Sequence, residues 1–74
     1  MCARADELFE LALHRNRALR APPLVVWTQL DYAQALLRRG KRSTSRARQL
    51  LRDAADVAGK LEMFSAQERI RALV

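Results

Sequence analysis

The chain has 74 residues, half of them hydrophobic, and carries a formal net charge of +6 from 14 Lys and Arg against 8 Asp and Glu. This length allows one small domain, spanning 1–74 and marginal in stability because such a chain buries only about 60% of its unfolded surface. The apolar fraction excludes a disordered tract, the lone Cys2 excludes an internal disulfide, and the positive balance suits nucleic acid, anionic lipid or simply a solvated arginine-rich helix surface.

Ala, Leu and Arg dominate, and these are among the strongest helix formers. The first helix is expected over 3–20. Leu8, Phe9, Ala12 and Leu19 share one face, and Leu11 and Leu13 widen it. Arg15, Arg17 and Arg20 load its end, which suits the helix dipole. Ala21-Pro22-Pro23 must break this helix, because proline disfavours a helical residue before it and starts a new helix well.

The second helix follows over 23–39. Val26, Leu30, Ala33 and Leu37 form one stripe and Val25, Tyr32 and Leu36 another, so this helix is expected between neighbours. Gly40 is a C-terminal stop, and Ser43, Thr44 or Ser45 offers the next N-cap. The third helix is expected over 45–60, burying Ala47, Leu50, Leu51, Ala54, Val57, Ala58 and Leu61. Ser65-x2-Glu68 reads as a capping box for a fourth helix over 65–73. No stretch alternates with the period of a strand.

One pattern recurs. Ala5-x3-Phe9-x2-Ala12 returns as Ala47-x3-Leu51-x2-Ala54, a shift of 42 residues that sets a small, a large and a small residue on one helical face. Only five of the 32 paired positions are identical, close to the roughly four that this composition gives by chance. The placement of the matches on packing faces carries more weight. Helix one corresponds to helix three, and helix two to helix four.

Gly40, Ala47, Leu51 and Ala54, preceded by Ala33 and Leu36, resemble a tetratricopeptide repeat. The run from Ala21-Pro22-Pro23 through Trp27, Asp31 and Tyr32 to Gly40 resembles the C-terminal repeats of large bacterial signalling proteins, which join an ATPase to a cyclase or a helix-turn-helix domain. The resemblance implies four antiparallel helices as two hairpins, a short all-α solenoid, from a fragment or relative of such a regulator. It implies none of the ATPase, cyclase or DNA-binding activities, because no segment here matches those parts. Arg20 and Glu62 stand where that subtype has a turn Gly, which implies looser turns, and Met63-Phe64 replaces a second Pro pair.

Candidate chemistry is sparse. His14 and Glu10 lie one turn apart, but no second histidine or thiol completes a metal or proton-transfer site. Gly40 and Gly59 are isolated, so no phosphate loop exists. Asp53 and Asp56 are expected in solvent, with Asp56 near Lys60. No catalytic residue, cofactor or metal is therefore expected. The basic run Arg38, Arg39, Lys41, Arg42, Arg46, Arg48 and Arg52 contains no acid, and is either a solvated loop or a phosphate-contacting patch. Trp27, Asp31 and Gln34 are candidate protein contacts on the first helix of a hairpin, although Trp27 is read first as core or inter-helix packing and only then as a partner anchor.

The function these features favour is non-catalytic protein interaction, with a small basic nucleic-acid-binding protein as the alternative. Solenoids need about three repeats to stand alone. With two, Leu11, Leu13, Ile70 and Leu73 are expected to stay uncovered, which predicts self-association, most simply as a dimer, or a neighbouring domain. No apolar run reaches the roughly 20 residues of a membrane span. Charge precedes any apolar core at the start, unlike a signal peptide, so the expected location is cytoplasmic.

Overall fold

A computed structural model describes residues 2–40 and 44–73 and shows an all-α fold of four helices: α1 (Cys2–Ala18), α2 (Pro22–Arg39), α3 (Thr44–Lys60) and α4 (Phe64–Leu73). Among the described residues there is no strand. α2 packs against all three other helices and most extensively against α3, while α3 also packs on α4. Its two apolar stripes cause this: Val26, Leu30 and Ala33 are fully buried, and Val25, Tyr32 and Leu36 nearly so. On α3 the Ala47-Leu51-Ala54 triplet is buried, with no exposure at either alanine, so that backbones approach across small side chains.

α1 differs from its expectation. Of its apolar residues only Leu13 belongs to the buried core, at 1% exposed, with Phe9 packed partly against it. Leu8, Leu11 and Leu19 face outward, because α1 has one strongly packed neighbour, α2. Leu13 and Ile70, expected to be uncovered, are buried, and Leu73 packs partly against the core; Leu11 does remain open. Leu61, expected in the buried face of α3, lies past the helix end and is exposed. Gln29, inside α2, is buried and its Oε1 lacks a hydrogen-bond partner among the described residues. Such an orphan acceptor costs about 1–3 kcal/mol.

Both short turns close the same way. α1 ends where Arg20 adopts φ 53, donating its N–H to Arg17 O at 3.0 Å, while Ala21 N–H donates to Asn16 O at 3.1 Å. α3 ends where Glu62 adopts φ 55, with Glu62 N–H to Gly59 O at 3.3 Å and Met63 N–H to Ala58 O at 2.9 Å. Each pair of bonds is a Schellman motif, which satisfies the last carbonyls of its helix. The next helix then begins with the same bond, Val25 N–H to Ala21 O at 3.1 Å and Gln67 N–H to Met63 O at 3.0 Å. The missing turn glycines therefore do not loosen these turns.

The helix starts follow from this closure. Pro22 and Pro23 fill the first two positions of α2, where their absent N–H groups cost nothing. Met63, not Ser65, caps α4, because the Schellman turn delivers the chain into the helix two residues sooner. Gly40 ends α2 at φ 103 and ψ −162, a conformation for which glycine is nearly obligatory. The Thr44 hydroxyl donates to Gly40 O at 3.4 Å, and Ser43, the residue before α3, lies outside the described residues.

Left-handed backbone costs a side-chain-bearing residue about 1–2 kcal/mol, and replacing that residue with glycine returns about 0.4–1 kcal/mol of unfolded-state entropy. Arg20→Gly and Glu62→Gly are each expected to stabilise the fold by about 0.5–1 kcal/mol, raising the melting temperature by a few degrees. Thermal melts of the two single variants check this, and a lower melting temperature in both contradicts the turn geometry.

Candidate interaction surfaces

Asp6, Phe9 and Glu10 fall on one side of α1 by their spacing of three and four residues. They meet three residues from the α2–α3 region. The Arg39 guanidinium engages Asp6 through two contacts, Nη1 to Oδ1 and Nη2 to Oδ2 at 3.1 Å. Arg46 Nη2 donates to both Glu10 oxygens, at 2.9 and 3.3 Å. The Phe9 ring stacks on Tyr32 with centroids 4.9 Å apart and planes 8° from parallel. Arg46 also lies 5.7 Å from the Tyr32 ring centroid, in cation–π range.

Tyr32 is thus the hub of this clasp, in contact with both Phe9 and Arg46. Burial raises its hydroxyl above the ordinary tyrosine range, and the Glu10 and Asp6 carboxylates push further in the same direction. The hydrogen bonds that Arg46 donates to Glu10 raise it above the ordinary arginine value, against the opposing effect of burial. The ion pairs are partly solvated and are worth roughly 0.2–1 kcal/mol each. The ring stack adds about 0.5–1.5 kcal/mol, and burial of Leu13 beside it about 1.5–3 kcal/mol. Apolar contact therefore supplies most of the docking energy of α1, and the charges set its register.

The basic run of the sequence is split by this arrangement. Arg39 and Arg46 are turned onto α1, Lys41 and Arg42 lie outside the described residues, and Arg38, Arg48 and Arg52 are exposed. Arg48 and Arg52 are one turn apart on α3 and make no ion pair among the described residues. The Trp27, Asp31 and Gln34 face is also partly engaged. Arg69 Nη2 donates to Asp31 Oδ1 at 2.7 Å and to Gln34 Oε1 at 2.9 Å, tying α4 to α2, while Trp27 packs partly against the core. His14 is exposed, and its neighbour Glu10 is held by Arg46. Among the described residues no three His, Cys, Asp or Glu side chains gather into a metal-binding group. No described helix is long and apolar enough to cross a membrane. Asp56 pairs with Lys60 at 3.4 Å in solvent.

One feature was not read from the sequence. An open, mainly apolar groove of about 320 Å³ lies between α3 and α4, lined by Arg48, Leu51, Arg52, Ala55 and Ile70. The first four share the i, i+3, i+4, i+7 spacing of one helix face, and that spacing was the available signal. No protein-family model, curated protein or solved structure matches the chain.

Because Tyr32 is the only tyrosine, its ionisation can be followed directly by ultraviolet absorbance. A raised folded-state value means that its contribution to stability is fully present below the ordinary tyrosine value near 10 and is lost as pH rises through the folded value. The tyrosinate midpoint is expected above the value of the unfolded chain, and Glu10→Gln is expected to lower it. A midpoint equal to that of the unfolded chain contradicts the burial of Tyr32 beside Glu10.

Proposed function

We propose that this chain is a non-catalytic protein-interaction module, a tetratricopeptide-like pair of helix hairpins acting in the cytoplasm as a fragment or relative of a bacterial regulator. The observation that carries the reading is the 42-residue register. The turns at Arg20 and Glu62 share the left-handed residue and the hydrogen bonds that follow it, position for position. Repeated units of this kind stack on their neighbours and bind along the surfaces they leave open.

Burial at equivalent positions supports open surface here. Leu50 on α3 is 1% exposed, whereas Leu8, its counterpart on α1, is 61% exposed. The same helix face is covered in one copy and bare in the other. A bare leucine face beside Leu11 suits a protein partner or a second copy of the chain.

The nucleic-acid reading draws on the net charge and on exposed Arg38, Arg48 and Arg52. It is weakened because Asp6 and Glu10 neutralise Arg39 and Arg46. A selection from a displayed library of helical peptides, run beside titrations with single-stranded and duplex nucleic acid, separates the two. The module reading expects enriched peptides that bind the full chain. Binding of nucleic acid alone, falling by orders of magnitude between about 50 and 200 mM salt, contradicts it.

A further inference from the structure

The groove on α3 and α4 has a counterpart on α1 and α2, which the chain itself covers with Tyr32 and Arg39 of α2 and Arg46 of α3. Moving each lining residue back by 42 positions gives Asp6, Phe9, Glu10, Leu13 and Thr28. Four of these belong to the face of α1 that docks on the rest of the fold. Tyr32 stacks on Phe9, Arg39 pairs with Asp6, Arg46 pairs with Glu10, and Leu13 is buried in the core. In the first copy, then, this helix face receives an aromatic ring flanked by two charges opposite in sign to its own.

The second copy keeps the positions and changes the chemistry. Arg48 and Arg52 replace Asp6 and Glu10, so the sign of the charge is reversed. Leu51 replaces Phe9 and Ala55 replaces Leu13, which removes volume from the floor. Ile70 replaces Thr28, whose hydroxyl accepts a hydrogen bond from Asn16 Nδ2 at 2.9 Å in the first copy. The result is an apolar trough with two exposed guanidiniums on its rim and no acid paired to them among the described residues.

We propose that this groove is the docking site for an acidic amphipathic helix of another polypeptide. An aromatic or large aliphatic side chain enters against Leu51, Ala55 and Ile70, and carboxylates on either side of it pair with Arg48 and Arg52. The guanidinium fork suits this, since it binds carboxylates through two parallel hydrogen bonds. A second copy of the chain fits less well. Its +6 charge repels its own kind, and Asp6 and Glu10, the acids that would match, are already bonded to Arg39 and Arg46. The proposal rests on the repeat-module reading and names the partner chemistry of one of its open surfaces.

The test uses the full chain and a fluorescent, helix-stabilised peptide about 20 residues long, long enough to hold a helix. The peptide carries one central Tyr with Glu a turn before and a turn after it, and a control peptide carries Lys in place of each Glu. The acidic peptide is expected to bind, the control to bind at least tenfold more weakly, and amide shifts on binding to centre on Arg48, Leu51, Arg52, Ala55 and Ile70. Ala55→Leu restores the side chain of the filled copy with a residue that sustains a helix. It is expected to weaken the acidic peptide about tenfold while leaving the melting temperature unchanged or higher. The double change Arg48→Glu with Arg52→Glu is expected to reverse the preference between the peptides.

Equal binding of the two peptides, or binding unmoved by Ala55→Leu, overturns the proposal. So does a self-associated species in sedimentation that Ala55→Leu dissociates, or nucleic acid that competes for the groove. Library-selected peptides that bind but ignore Ala55→Leu refute the groove while sparing the module reading. Failure of every peptide to bind removes both.

Discussion

The docking of α1 turns on one residue. Tyr32 stacks on Phe9 from α1 and meets Arg46 from α3, and the arginines that pair with Asp6 and Glu10 come from the same α2–α3 region. Remove that ring and α1 keeps Leu13 in the core and the polar bridge from Asn16 to Thr28 and to Leu24 O. Neither reaches the N-terminal half of the helix. The ion pairs are too solvated to hold α1 alone, yet they fix which turn of α1 meets the ring. Packing supplies the energy and charge supplies the alignment.

The two short turns share one backbone plan and carry different side chains. Both turns reverse through a left-handed residue, and both following helices begin on equivalent hydrogen bonds. Around that common frame, Asn16 bridges α1 to α2, whereas Gln67 Nε2 bridges α4 back to Ala58 O of α3 at 3.1 Å. Arg69 then ties α4 to Asp31 and Gln34 of α2. The backbone sets the spacing of the helices, and the side chains decide which helix faces are closed. The α1 face is closed by Tyr32 and its arginines, and its counterpart on α3 keeps a groove.

Much of this was legible in the sequence because it is local. Helix starts and stops follow from Pro22, Pro23 and Gly40, and the Ala47-Leu51-Ala54 spacing identifies a face that is indeed buried. What failed was non-local. Periodicity reports which residues share a face, but whether a neighbour exists to cover it depends on the stack, so Leu8 and Leu13 exchanged roles. The basic run looked continuous because its partners Asp6 and Glu10 lie more than 30 residues away in sequence. Ser65 looked like a cap because Glu62 gave no sign, by residue type, that it would adopt a glycine-like conformation. The groove is not legible in the sequence because it arises from a small residue, Ala55, where the matching position of α1 is Leu13.

The Tyr32 clasp holds α1 as a separable unit on a core built by α2 and α3. Amide hydrogen exchange of the Asp6→Arg, Glu10→Arg variant tests it most directly, since those changes give α1 the charges that α3 carries at the same positions. Amides of α1 are expected to lose protection selectively, by several-fold or more, while the buried segments of α2 and α3 keep theirs. Uniform loss across all four helices, or unchanged protection in α1, would contradict it.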